Sequence, residues 1–477
     1  MRYTTPIRTA ALGAAVILGL TACDNGLTDV NRNPNSPDQA TPEFLFANAT
    51  EAAITRVFGA DLHMDITGLW VQHIAEHRFN DEDRYVISDG KVAGHWNGFY
   101  SGPLQDFQEA IALADAANRA EAAAMGRIMK AWTFHVVTDL WGDIGYSEAL
   151  QGRNPTGSNQ PAFDPQRDVY VALLAELEDA VADLGGGGVS LGNADLLYGG
   201  DVADWRRFAN SLRLRLAMRL SAADANLARQ EFTDALAAGV MTSNGHNAVL
   251  AYIEGGTNAH PIFQYERSRD DHSVSKTIVD TLQSFADPRL PIYAKRTAAG
   301  TYVGMQNGST TQPALTAISR IGDLFSKANA SAYVMTYAEV LLLQAEAAER
   351  GWITGDPAAL YAAAITANMQ MVGVPAAQIT AYLAQPRVQY AGGAAGLTQI
   401  ALQKWIALYS NSVEAYAEYR RTGQPVLRGG PNAQNGGVVP VRLPYPQRES
   451  SLNAANLDAA VARQGGAGLN NSVWWDQ

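Results

Sequence analysis

The chain has 477 residues, enough for two or three small domains or one large composite. Hydrophobic residues make up 47%, which excludes wholesale disorder, and charged residues only 17%. With 35 bases against 47 acids the net charge is -12, and no basic run offsets it, so a phosphate backbone would repel the chain and nucleic acid is excluded as a partner.

Arg2 and Arg8 flank a short polar start, and the apolar stretch Thr9 to Leu20 follows. As a helix it would span about 18 Å, too short for a hydrocarbon core of about 30 Å. A basic start, a short apolar core and small residues before a cut describe a secretory signal over residues 1–22. Leu20-Thr21-Ala22-Cys23 resembles the bacterial lipobox, which makes Cys23 the lipidated first residue of the mature chain, carrying fatty acyl groups such as palmitate. Cys23 is also the chain's single cysteine, so no disulfide framework is expected. Residues 23–43, rich in Asn, Pro and Asp, read as a tether and turn segment, with the body over 44–477.

Helical spacing then dominates. Helices are expected over Phe44–Phe58, Asp61–His77, Trp96–Ala117, Ala120–Leu140, Asp168–Leu184, Asp204–Ser221 and Asn226–Ala238. The Gly185–Gly188 run is a loop with no phosphate-binding lysine beside it. From about Val249 to Ser331 the texture changes to aromatics, Gly, Asn and Pro, which predicts a loop-rich lobe with short strands. Helices return at Tyr333–Arg350, Pro357–Met371 and Leu397–Arg420, and the tail from 425 is irregular. In the pair over 333–371, Ala345 and Ala348 face Ala362 and Ala363, small residues that let backbones approach, and the pair resembles tetratricopeptide-type hairpins. The expected fold is therefore all-α: a tetratricopeptide-like helix-pair scaffold (about 44–240 and 333–424) carrying an irregular, loop-rich ligand lobe (about 249–331).

Motifs for chemistry are weak. His73-Ile74-Ala75-Glu76-His77 matches the H-x-x-E-H pattern of inverted zinc peptidases, but a third ligand would have to come from Glu339 or Glu346, and a packed helix face is the preferred reading. Asp29 to Asn35 begins like a calcium loop, yet Pro34 stands where Gly is needed and Ala40 where a bidentate Glu is needed. Asp81-Glu82-Asp83 is the densest acid cluster and reads as a solvated loop. No catalytic residue, metal or cofactor is expected.

The stronger signal is aromatic. Sugars offer apolar C–H faces and rings of hydroxyls, so a binder wants Trp or Tyr platforms rimmed by Asn, Asp, Arg or Gln. Two places outside the helical stripes have that composition. One contains Arg78, Asn80, Asp81 and Tyr85, with Trp96 and Asn97 close behind; the other contains Tyr265, Arg267 and Tyr293. These nine are the candidate ligand-binding residues. Trp132, Trp141, Trp205 and Trp405 are read as core.

Seven segments in order resemble the SusD/RagB family of nutrient-binding lipoproteins: VNRNPNSPDQATPEFL from Val30, WNGFYSGPLQDFQEAI from Trp96, GRIMKAWTFHVVTDLWGDIGYSEAL from Gly126, YGGDVADWRRFANSLRLRLAMRL from Tyr198, Tyr333 to Ala347, QKWIALYSNSVEAYAEYRR from Gln403, and VVPVRLPYPQRE with the Trp474-Trp475-Asp476 ending. The resemblance implies a non-enzymatic protein, lipid-anchored outside the outer membrane. It would act as a lid over a SusC-like TonB-dependent barrel and deliver oligosaccharides or peptides to it. Some relatives carry structural calcium, which nothing in this sequence localises. A lipid-anchored hydrolase and a helix-repeat scaffold for envelope assembly are the competing readings.

Overall fold

Caps and breakers set the helix boundaries in the computed structural model, which describes residues 40–152, 157–185, 190–255 and 258–477. Cys23 and the Asp29–Asn35 turn lie outside the described residues. Helix α1 (Pro42–Phe58) opens on proline, whose missing N–H costs nothing in a first turn. It is followed by α2 (Asp89–Phe99), α3 (Gln105–Ala116), α4 (Ala120–Trp141), α5 (Gln166–Asp183), α6 (Val202–Arg219) and α7 (Ala225–Ala238). After the lobe come α8 (Tyr337–Glu349), α9 (Pro357–Met371), α10 (Gly393–Ala407) and α11 (Ser412–Thr422). Asp201, Thr336 and Asp356 cap α6, α8 and α9 by accepting backbone N–H groups.

Consecutive helices pack as antiparallel neighbours: α3 on α4, α4 on α5, α6 on α7 and α8 on α9. This is the tetratricopeptide-like, all-α architecture the spacing predicts. Between α8 and α9 the buried small residues are Ala345, Ala347, Ala364 and Ala367, whereas Ala363 is exposed. The close face on α9 is thus rotated from the Ala362–Ala363 position expected. Residues Pro42–Gln477 form one unit around one core. Trp132, Trp141, Trp205 and Trp405 lie inside it, each at most 1% exposed, with Trp70 and Trp475. Burying one indole is worth on the order of 4–6 kcal/mol before conformational entropy is counted, so these rings anchor the scaffold.

Three expected helices are interrupted. Trp96–Ala117 divides at Gly102-Pro103, because proline supplies no N–H and Tyr100–Leu104 open into wider turns. Leu397–Arg420 divides at Asn411, which leaves helical geometry and caps α11 through the Glu414 N–H. Asp61–His77 departs most. Wide π-type turns cover Ala60–Thr67, one α-turn follows at Gly68–Trp70, and Gln72 adopts φ 57°. The chain then enters β1 (Ile74–Glu76). The H-x-x-E-H residues are therefore not on a helix, and tertiary pairing overrides their spacing. The suggested third ligands, Glu339 and Glu346, are held by Arg215 and Arg421.

The strands are short antiparallel pairs. Strand β2 (Ile144–Gly145) pairs with β3 (Phe163–Asp164), β4 (Ala248–Ala251) with β6 (Ser331–Met335), and β1 with β5 (His272–Val274). The lobe over 249–331 holds β5 and short helices such as Pro261–Glu266 and Lys276–Ser284, joined by irregular chain. The tail is less irregular than expected, with helices at Gln447–Leu452 and Ala454–Arg463.

Candidate functional site

The β1–β5 ribbon ties the lobe to the scaffold. Glu76 faces His272 across it, and the His77 N–H donates to the Asp271 carbonyl at 2.9 Å. Two loops therefore leave the ribbon side by side, one through Arg78–Arg84 and one through Arg267–Asp271. Phe79 is 71% exposed at φ 51°, a left-handed conformation that a bulky residue adopts only when its surroundings enforce it. The Arg269 guanidinium covers one face of that ring at 4.8 Å and lies 5.6 Å from the ring of Tyr265. Arg269 donates to Asp271 at 2.7 Å, and the Tyr265 hydroxyl donates to the same carboxylate at 3.3 Å. Asn80 donates to the Ser309 carbonyl, which fixes the first loop to the lobe. Arg78 and Asp81 are exposed around this platform.

The nine candidates divide by position. Arg78 and Asn80 flank Phe79 in the chain with Asp81 next, and Tyr265 lies against Arg269. Arg267 opens instead onto a depression of about 730 Å³ with Phe263, Glu266, Lys295 and Lys327. Trp96 and Asn97 border another cleft, of about 420 Å³, walled by Tyr100, Glu148, Phe163 and Glu449. Trp96 is 5% exposed, and its ring packs on Tyr100, Trp141, Phe163 and Tyr445. Two further candidates lie in the core. Tyr293 is buried, stacked on Tyr409 at 4.5 Å, with its hydroxyl donating to the Ile406 carbonyl. Tyr85 is also buried. Tyr293 ends the short helix Leu290–Tyr293 and Tyr85 follows the Glu82–Arg84 turn, and both side chains point into the core.

Beneath the platform lies a buried acidic layer. Asp81 is exposed, but Glu82 meets Lys91 at 2.8 Å and Asp83 is 1% exposed, so the acid run is not the solvated loop its composition suggests. Asp83 accepts from Asn307 at 2.7 Å and from the Glu76 N–H at 3.1 Å. Burial pushes the Asp83 carboxyl up to about 7 and that of Glu76 up to about 8. Burial lowers the His272 imidazole, but Asp65 and Glu76 outweigh it and raise the ring to about 9. His73 packs on Trp405 and is pushed down to about 3 by burial.

Phe79 and Arg269 carry the platform, yet neither is among the nine. Both stand in the aromatic-polar segments that mark the two loops, but nothing in sequence tells which ring in such a segment points outward.

The family described as starch-binding and associating with the outer membrane matches residues 34–446. The chain belongs to the SusD-like family. Among solved structures it is similar to a chitin-binding protein at 28% identity, with a TM-score of 0.82 over 91% of this chain and 100% of that one. It is similar to a chitin-binding SusD homologue from Flavobacterium johnsoniae at 25% identity and TM-score 0.80, covering 91% and 98% of the two chains. A SusD homologue from Bacteroides fragilis also matches at 25% identity and TM-score 0.80, covering 92% and 100%. No match is found among curated proteins. Among the described residues no helix of this SusD-like chain is long and apolar enough to cross a membrane.

Proposed function

We propose that this SusD-like protein is a non-catalytic surface lipoprotein, acylated at Cys23, which binds an oligosaccharide and delivers it to a SusC-like TonB-dependent barrel. The observation that carries the reading is the outward ring of Phe79 with Arg269 stacked on it. An exposed aromatic face held in place by its backbone matches the apolar face of a pyranose, and Arg78, Asn80 and Asp81 rim it with hydroxyl partners. The platform's Asp271 is occupied by Arg269 and Tyr265, which suits holding a sugar better than protonating a glycosidic oxygen. Two chitin-binding structures among the neighbours favour N-acetylglucosamine oligomers as the first ligand to try.

Calorimetry of the full-length lipoprotein with N-acetylglucosamine hexamer tests the proposal. Saturable binding is expected, with no new reducing ends. Phe79→Ala should weaken it about tenfold, about 1.4 kcal/mol. Binding that Phe79→Ala leaves intact would move the site elsewhere, and release of reducing ends would make the protein a hydrolase. The partner is tested by mild-detergent recovery from outer membranes, where a stoichiometric large β-barrel is expected and clean recovery alone would sink that claim.

A further inference from the structure

Three buried side chains converge under the platform from separate stretches of chain. Asp65 comes from the π-type turns, and Glu76 and His272 come from facing positions of β1 and β5. His272 Nε2 lies 2.9 Å from Asp65 Oδ1 and 3.5 Å from Glu76 Oε1. One ligand atom of each residue can be chosen so that all lie within 4.8 Å of one another. None of the three is more than 7% exposed. His272 Nε2 thus meets both carboxylates, but neither contact is well directed as a hydrogen bond, and His272 Nδ1 has no hydrogen-bond partner. Buried polar atoms left so are rare and call for an unseen partner.

The two separations from His272, 2.9 and 3.5 Å, fall in the range of a coordination sphere. For ligands about 2.1 Å from a metal, neighbouring donor atoms stand about 3.0 Å apart at right angles and about 3.4 Å at the tetrahedral angle. The charge count points the same way. Among the described residues, Asp65, Glu76 and Glu82 pair only with Lys91 and His272, and Asp83 lies beside them. Lys91 is engaged by Asp65 Oδ2 at 2.7 Å and by Glu82, which turns Oδ1 toward His272 and fixes the carboxylate's orientation as outer-shell groups do. A second buried group, His135, Asp139 and Glu414, has similar donor types. There Arg219 already meets Glu414 at 2.7 Å and Asp139 at 3.4 Å, so a guanidinium supplies the cation.

We propose that Asp65, Glu76 and His272 bind one divalent transition-metal ion of the zinc class at the base of the platform, joining its two loops. One imidazole with two carboxylates suits such an ion, whereas calcium takes six to eight oxygens. Because Glu76 and His272 are the ribbon residues that adjoin the two loops, the ion would restrain both the Arg78–Arg84 and Arg267–Asp271 segments.

The test uses full-length protein freed of metal by a chelator and titrated with Zn2+, with Co2+ as the spectroscopic probe. One ion per chain is expected, with visible Co2+ absorption and slower amide exchange in both loops. His272→Gln and Asp65→Asn should each weaken Zn2+ binding at least tenfold. Circular dichroism identifies a variant that fails to fold, and the wild-type Co2+ spectrum decides independently of either. Absence of stoichiometric binding to the wild type would overturn the proposal, as would folded variants that retain it. Neither result depends on whether N-acetylglucosamine oligomers bind.

Discussion

Two buried charged regions of this molecule are built on opposite plans. In the scaffold, Arg215 grips Glu339 with two bonds of 2.7 Å and Arg219 grips Glu414 with two more. Arg421 bridges Glu346 and Glu418, and Lys404 meets Glu418 at 3.0 Å. These groups link α6, α8, α10 and α11, and nearly every carboxylate faces a guanidinium or ammonium. Under the platform the acids outnumber the bases, with Asp65, Glu76, Glu82 and Asp83 around Lys91 and His272. A region with its charges matched fixes one arrangement of helices. Where acids are in excess, burial raises the Glu76 and Asp83 carboxyls, while Asp65, beside His272 and Lys91, is held low. Structure and site thus separate by their electrostatics within one core.

The largest expected effect is loss of a scaffold cation. Arg219 is 1% exposed and serves Glu414, Asp139 and Glu418 while lying 5.2 Å from the Trp475 ring. Arg219→Met keeps much of the volume but strands buried carboxylates, which costs about 3–5 kcal/mol. Urea unfolding should register that loss. A loss below about 1 kcal/mol would show that the matched network does not hold the helices.

The acid response should come from the same region. Burial alone would raise the Glu418 carboxyl, but Arg421 and Lys404 outweigh it and bring it down to about 2, and Glu414 is also held well below its ordinary range by Arg219 and Arg215. A carboxyl with a lowered folded pKa stabilises fully above its unfolded value near 4.5, and that contribution disappears as pH falls toward the folded value. The urea midpoint should therefore drop steeply between about pH 4.5 and pH 2.5. A flat profile across that window would remove the contrast drawn between the two regions.

Sequence spacing made the scaffold legible because its helices are long, rich in apolar residues and capped by residues such as Asp201 and Asp356. It failed where one residue interrupts a periodic run, as Asn411 does, or where strand pairing competes with helix spacing, as in residues 61–77. The site was legible only as two loop segments. Tyr293 and Phe79 are both aromatics in polar surroundings, yet one stacks inside on Tyr409 and the other is 71% exposed. Their difference is set by the fold around each loop, through contacts distant in sequence. The Glu76–His272 pair has the same origin, since the two residues lie far apart in the chain and meet only through the β1–β5 register.

A smaller effect should separate the regions most sharply. Asn307 is 3% exposed and donates to the Ile74 carbonyl at 2.8 Å and to Asp83 at 2.7 Å, while its own oxygen accepts from Ser275. It is a neutral hub that ties the first loop to the ribbon. Asn307→Ala removes one donor from each acceptor, while Asp83 keeps the Glu76 N–H and no formal charge loses a cation, so about 1–3 kcal/mol is expected, less than for Arg219→Met. The damage should also be local. Amide exchange should quicken through Arg78–Arg84 and β1 and stay slow in α8, whose Glu339 is held independently by Arg215. Uniform acceleration across both would mean that the platform and the scaffold open as one cooperative unit. In that case their different charge plans would not correspond to different stabilities.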